Sequence, residues 1–163
     1  MISRNHSAKI FTIKYSNIDS ELRSTYLKEA FKKLALSRII HTVKHSNAMK
    51  VPLTEHVKED VFKTVFLDID FMNQLNQNEL TGLDNLVTAN EGILAEQFIA
   101  QELLSIQPAF LNPELFYWSR QAKSSNAEID FIFQYKNKIY PVEVKAGERG
   151  TLKSMQMYLY EKE

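Results

Sequence analysis

Hydrophobic residues recur at helical spacing in three stretches of the chain. The first stretch follows Asp19 and Ser20, which suit the position before a helix, and its helix is predicted to end near Ser37. The second, GILAEQFIAQELLSI (92–106), is strongly amphipathic and is stopped by a proline two residues later. The third begins near Thr151. These patterns predict three helices.

Stretches rich in β-branched and aromatic residues predict the strands. The front half contains RIIHTVKH (38–45) and a strand from Lys63 to Leu67 that runs into a short helix. The second half contains LFYWSR (115–120), EIDFIFQY (128–135) and KIYPVEVKA (138–146), with a hairpin turn between the last two. The predicted order of the second half is therefore α-β-β-β-α.

A polar stretch, NQNELTGLDNLVTANEG (76–92), is the predicted junction between two parts of an α/β (α+β) protein. Residues 1–80 form the first part, which is expected to be winged-helix-like because a helix precedes a two-stranded element. Residues 81–163 form the second part, which holds the α-β-β-β-α core.

Composition narrows the class of protein. Of the 163 residues, 44% are hydrophobic and 25% are charged, which is typical of a globular protein in water. There is no cysteine, which excludes disulfides and thiolate zinc sites. No apolar run approaches the ~20 residues of a membrane helix, and the N-terminus has no apolar signal-peptide core. We therefore expect a cytoplasmic protein that has no membrane partner.

The charges are unevenly distributed along the chain. Residues 1–58 carry 11 Lys and Arg against 4 Asp and Glu, whereas residues 81–163 carry 8 against 11. A basic front half can bind nucleic acid, and we expect the partner to be DNA rather than RNA. The alternative is a lysine-rich helix face that simply contacts water.

One group of charged residues lies in the predicted strands of the second half. Glu143 and Lys145 are two apart, so their side chains share a face, and Asp130 in the preceding strand can lie beside Glu143. Two carboxylates suit Mg²⁺ or Mn²⁺, and Glu96 adds a third if its helix crosses the sheet. Lys145 can orient a nucleophile or stabilise charge on a phosphate.

Each of these residues also has an ordinary structural interpretation. Glu143 and Lys145 can form an ion pair on an edge strand that contributes at most about 1 kcal/mol. Asp130 can cap a turn, and Glu96 can lie on the solvent-exposed face of its helix. The residues around Glu143 and Lys145 in the sequence are apolar, which favours a functional role over an incidental surface ion pair.

The order Asp130, then Glu143-Val144-Lys145, resembles the PD-(D/E)XK nuclease superfamily, which has the restriction-endonuclease-like fold. Ile129 stands where that motif often has proline. The resemblance implies that Asp130 and Glu143 bind a metal and that Lys145 is catalytic.

Two further matches extend this resemblance. Glu96 is similar to a helix glutamate that many members use as a further metal ligand. Gln156 and Tyr160 resemble the Q-x-x-x-Y element of RecB-like members, which implies a catalytic role in positioning the active site and contacting DNA.

A longer resemblance covers residues 11–160. These residues resemble the C-terminal region of bacterial and archaeal AAA-type ATPases, a domain of unknown function. No glycine lies in a Walker A pattern, so we expect no ATP site in this chain. The nuclease fold usually continues beyond the helix in which Glu163 lies, so we expect a core truncated at its C-terminus.

Two functions follow as hypotheses, and whether the chain is an enzyme stays open between them. The first is a Mg²⁺-dependent nuclease that hydrolyses phosphodiesters in nucleic acid. The second is a non-catalytic interaction or regulatory module of such an ATPase, or an inactive remnant. An uncovered sheet edge favours self-association, and the resemblance implies association with an ATPase module.

Overall fold

A computed structural model describes residues 12–14, 24–48, 50–71, 86–121, 126–145 and 152–162. The helices are α1 (Ser24–Leu36), α2 (Leu86–Ser105) and α3 (Lys153–Lys162). The strands are β1 (Thr12–Lys14), β2 (Ile40–Ser46), β3 (Val57–Phe66), β4 (Leu115–Gln121), β5 (Asn126–Tyr135) and β6 (Lys138–Val142). The three predicted helices are confirmed, although α2 begins six residues earlier than expected. The predicted cap at Asp19 or Ser20 lies outside the described residues.

All six strands form one sheet in the order β1-β3-β2-β4-β5-β6. Strands β2 and β4 pair in parallel, and the other neighbours pair antiparallel. The mixed α/β class and the α-β-β-β-α order of the second half are confirmed. Strands from both sides of the predicted junction therefore share one sheet. Residues 72–85 lie outside the described part, so the division at residue 80 stays a prediction.

The β5–β6 hairpin has the turn that its sequence predicts. Lys136 and Asn137 both have positive φ, 45° and 62°. A two-residue turn with positive φ at both positions matches the right-handed twist of the flanking strands. Tyr135 pairs with Lys138 and thereby fixes the register of the whole hairpin.

Helices cover both faces of the sheet. Helix α2 packs on one face through Ile93, Ile99, Ala100, Leu103 and Leu104, against Val43, Val65, Leu115, Tyr117 and Phe131. Helix α3 packs on the other face through Met155, Met157 and Tyr158, against Trp118, Ala127, Ile129 and Ile132. Among the described helices, none is both long and apolar enough to cross a membrane.

The strand pairing brings several chain segments to one end of the sheet. His45 pairs with Lys58, and Ser119 pairs with Glu128. Consequently β2 and β4 end, and β3 and β5 begin, at the same end, which we call the upper end. Strand β6 runs towards that end but stops at the middle of β5, where Val142 pairs with Phe131, and the segment that carries Glu143 follows it.

Replacing Tyr158 with phenylalanine tests the packing of α3. The Tyr158 side chain is fully buried against Trp118, with ring centroids 5.2 Å apart, and its hydroxyl has no hydrogen-bond partner among the described residues. Burial raises the pKa of Tyr158 to about 12. An unfolded chain ionises this phenol near pH 10, so folding stability should fall as the pH rises from 10 towards 12. In urea unfolding across that range, Tyr158→Phe should lose less stability than the wild type. If both proteins lose the same stability between pH 10 and pH 12, ionisation of the buried Tyr158 phenol is not the cause.

Candidate functional site

Asp130 lies in an irregularity of β5. Phe116 pairs with Ile132 and Trp118 pairs with Ile129, so Asp130 and Phe131 together lie opposite the one residue between Phe116 and Trp118. Such a β-bulge inserts one extra residue and redirects the side chains beside it. The Asp130 side chain is fully buried.

The Asp130 carboxylate is held against the segment that follows β6. Its Oδ2 accepts a hydrogen bond from the backbone N–H of Val144, with 2.8 Å between nitrogen and oxygen. Phe131 pairs with Val142 in the adjacent ladder, and continuing that register by one position would place Glu143 opposite Asp130. The structure therefore brings Asp130 to the segment that contains Glu143 and Lys145.

Glu143 and Lys145 form a close ion pair. The Lys145 Nζ donates to Glu143 Oε1 at 2.5 Å. Only 2% of the Glu143 side chain is exposed, against 31% for Lys145. The carboxylate is thus enclosed, while the lysine reaches solvent. A pair with one enclosed member differs from the fully exposed edge-strand pair of the structural interpretation.

Glu96 lies on α2 beside a cation that the sequence analysis did not single out. Its Oε2 is 3.9 Å from the Nζ of Lys63, a β3 residue with a fully buried side chain. The same Nζ is 2.7 Å from Oε1 of Glu128 and 5.1 Å from the centre of the Tyr117 ring. Lys63 therefore reaches from β3 across β2 and β4 to β5, and links strands from both halves of the chain.

A weak signal for Lys63 is present in the sequence. It stands between Phe62 and Val65, two apolar residues of a stretch with strand character. A fully buried lysine is rare unless a carboxylate compensates its charge. Its partners Glu96 and Glu128 lie more than 30 residues further along the chain, so the sequence alone does not identify them.

Gln156 and Tyr160 lie on α3. Both side chains are exposed, Tyr160 to 80%. Tyr158, which lies between them in the sequence, packs against the sheet and is fully buried. Gln156 and Tyr160 are therefore available to an external partner, and the core does not need their side chains.

Among the described residues, no group of three or more His, Asp and Glu side chains is arranged to hold a metal ion. Asp130 instead bonds to the backbone of Val144, Glu143 pairs with Lys145, and Glu96 lies next to Lys63.

A cleft of about 560 Å³ opens at the upper end of the sheet, and we call it the upper cleft. Its walls are His45, Asn47, Lys58, Val61, Trp118, Ser119, Arg120 and Glu161. His45 is nearly fully buried, and desolvation lowers its pKa, although the Ser119 carbonyl partly opposes that shift. Arg120 forms an ion pair with Glu161 of α3. The upper cleft thus combines two cations with one anion.

A second cleft, of about 490 Å³, lies between α1, β2 and the segment before β4. Lys32, Arg38 and Lys44 give it a basic lining, and Glu114 pairs with Lys44 at 3.3 Å. Burial, and then the nearby Arg38, lowers the pKa of His41 in the same wall. The basic character of the front half is thus concentrated partly in this cleft.

Comparison with known proteins identifies only the second half of the chain. No curated protein and no solved structure is significantly similar to the chain. Residues 91–163, which include most of α2 and all of β4, β5, β6 and α3, match the family model of a domain of unknown function, DUF4143. The predicted likeness to a domain of unknown function is thereby confirmed over that part of the chain.

Proposed function

We propose that this chain is a metal-dependent nuclease-like domain that hydrolyses phosphodiester bonds in nucleic acid, with DNA rather than RNA as its substrate. The observation that supports this most is the hydrogen bond from Val144 to Asp130. It holds one buried carboxylate against the segment that carries a second carboxylate and a partly exposed lysine. A PD-(D/E)XK nuclease site needs those three groups in that order.

Asp130 and Glu143 fit a Mg²⁺ or Mn²⁺ ion by chemistry and by number. Both offer carboxylate oxygens, and Mg²⁺ usually takes one or two carboxylates and completes its shell with waters and substrate phosphates. Such an ion would polarise the phosphodiester and lower the pKa of a bound water. Glu96 contributes less, because Lys63 already lies 3.9 Å from its carboxylate.

Lys145 and the exposed face of α3 complete the proposed site. The Lys145 ammonium can leave Glu143 and stabilise negative charge on a phosphate. Gln156 and Tyr160 project from α3 into solvent, where they can contact DNA. The domain would act beside an AAA-type ATPase module, as its resemblance to the C-terminal region of such ATPases implies.

A cleavage assay with Lys145→Ala tests the proposal. The wild-type chain should cleave linear or branched DNA when Mn²⁺ is present and should stop when EDTA removes it. Lys145→Ala should lower the rate by about 100-fold or more, since it removes charge stabilisation at the reacting phosphate. Lys138→Ala is the matched control, because Lys138 is exposed at the opposite end of β6 and should leave the rate unchanged. Absence of cleavage by the wild type would contradict the proposal.

The second candidate is a non-catalytic interaction or regulatory module of an ATPase, or an inactive remnant. The ion pairs favour it, because Lys63 already compensates the Glu96 charge and Lys145 that of Glu143. Strand β6 is an edge of the sheet among the described residues, and an edge can pair with a second copy or with an ATPase module. DNA binding that is independent of metal, without cleavage, would support this candidate.

A further inference from the structure

We propose that the upper cleft binds backbone phosphates of the nucleic acid on which the carboxylate site acts, a role that rests on the function proposed above. The carboxylate pair supplies negative charge at the reacting centre and cannot itself attract a polyanion. A separate cationic surface would hold phosphates on either side of the one that reacts, and the upper cleft lies at the end of the sheet towards which β6 runs.

The position of the upper cleft suits a strand that also passes the carboxylate pair. Neighbouring strands lie about 4.8 Å apart, so Arg120 on β4 is about 10 Å from β6 across the sheet and Lys58 on β3 is about 19 Å from it. A nucleic-acid strand advances about 3.4 Å per nucleotide in a duplex. The two cations are thus about three to six nucleotides from the end of β6, within reach of one substrate strand.

The charges of the upper cleft suit phosphates. Lys58 is exposed at the start of β3, and none of the described carboxylates lies within ion-pair distance of it. Arg120 contributes a second cation from the end of strand β4. Its guanidinium can bind a phosphate through two parallel hydrogen bonds. Asn47 and Ser119 add polar groups to the same wall.

His45 makes the wall of the cleft rigid. Its Nε2 lies 3.2 Å from the Ser119 carbonyl oxygen, and a carbonyl only accepts, so Nε2 carries the proton. The ring also packs edge-on against Tyr117, with centroids 5.1 Å apart. These contacts fix β2 to β4, so that Lys58 and Arg120 are presented from strands whose positions are set before any ligand binds.

Glu161 sets the affinity of the cleft. Its carboxylate occupies Arg120 in the free protein, so a phosphate must displace it. The negative charge of Glu161 also repels a phosphate at Lys58. Neutralising Glu161 should therefore strengthen binding, whereas removing a cation should weaken it. A surface that merely attracts DNA by overall charge would not distinguish these positions from others of the same charge.

The test is the binding of a short single-stranded DNA oligonucleotide in EDTA, measured by fluorescence anisotropy at several salt concentrations. Lys58→Ala should weaken binding about three- to tenfold and reduce the slope of log affinity against log salt by about 0.7, which is one phosphate contact. Glu161→Gln should tighten binding by a similar factor. Lys136→Ala, which removes a lysine from the opposite end of the sheet, should change neither quantity.

Equal weakening by Lys58→Ala and Lys136→Ala would overturn the assignment, as would wild-type protein that does not bind the oligonucleotide. Because EDTA prevents metal-dependent cleavage, this binding result is independent of the nuclease proposal. A wild type that binds as expected but never cleaves in Mn²⁺ would reject the proposed activity and retain the phosphate site. A wild type that cleaves, with binding unaffected by Lys58→Ala, would reject the phosphate site alone.

Discussion

Replacing Lys63 with methionine should lower the free energy of unfolding by about 3–5 kcal/mol, the usual cost of removing one partner from a buried ion pair. Methionine keeps the unbranched four-atom stem of the lysine and removes only the ammonium, so the loss would report mainly on charge. The substitution leaves the Glu96 carboxylate, which is 2% exposed, without the ammonium beside it. Glu128 is 29% exposed and can recover part of its hydration.

A second substitution separates this charge effect from a simple packing defect. Glu96→Gln in the Lys63→Met background removes the buried charge that the methionine leaves behind. The double variant should therefore be more stable than Lys63→Met alone, because neutral replacements of a buried pair cost much less than a broken pair. Urea unfolding followed by circular dichroism measures both quantities.

Lys44→Met is the matched control for Lys63→Met. Lys44 also pairs with a glutamate, Glu114 at 3.3 Å, but the two side chains are 33% and 45% exposed. Pairs in contact with water contribute about 0–1 kcal/mol. If Lys63→Met costs no more than Lys44→Met, Lys63 does not compensate buried charge.

The secondary structure was largely predictable because its signals are local. The aromatic and β-branched runs predicted β4 and β5, and the hairpin at Lys136 and Asn137 followed from its own residues. Strand β1 was missed, since it has only three described residues and is defined by its pairing with β3. The shared sheet was missed for the same reason: the parallel pairing of β2 with β4 joins segments about 70 residues apart.

The site shows the same division between local and distant information. Asp130 and Glu143 belong to one hairpin, so the spacing along that hairpin is enough to predict that they lie opposite each other. The bulge at Asp130 was not predictable, because it arises from the pairing of β5 with β4. The environment of Glu96 depends on Lys63, whose Nζ lies 3.9 Å from its carboxylate. Lys63 belongs to β3, and β2 separates that strand from the three strands of the second half.

Two substitutions of Asp130 should separate its structural role from its catalytic role. Asp130→Ala removes the acceptor of the Val144 N–H, and leaving that buried donor unsatisfied should cost about 1–3 kcal/mol. Asp130→Asn keeps a carbonyl oxygen of nearly the same shape, so most of that stability should remain. Both variants lose the negative charge that a Mg²⁺ or Mn²⁺ ion requires, so both should lower the rate of DNA cleavage by about 100-fold or more.

Asp60→Asn is the control for the asparagine substitution. Asp60 is also an aspartate in a strand, but it pairs with Lys28 at 2.6 Å, its side chain is 73% exposed, and it lies on β3, away from Asp130 and Glu143. It should retain both stability and cleavage. Calorimetric titration with Mn²⁺ adds a readout besides activity: binding should be present in the wild type and in Asp60→Asn, and absent in Asp130→Asn. If Asp130→Asn folds normally and still binds Mn²⁺ as tightly as the wild type, Asp130 is a structural residue that ties β5 to the end of β6, and the metal-dependent role fails at that residue.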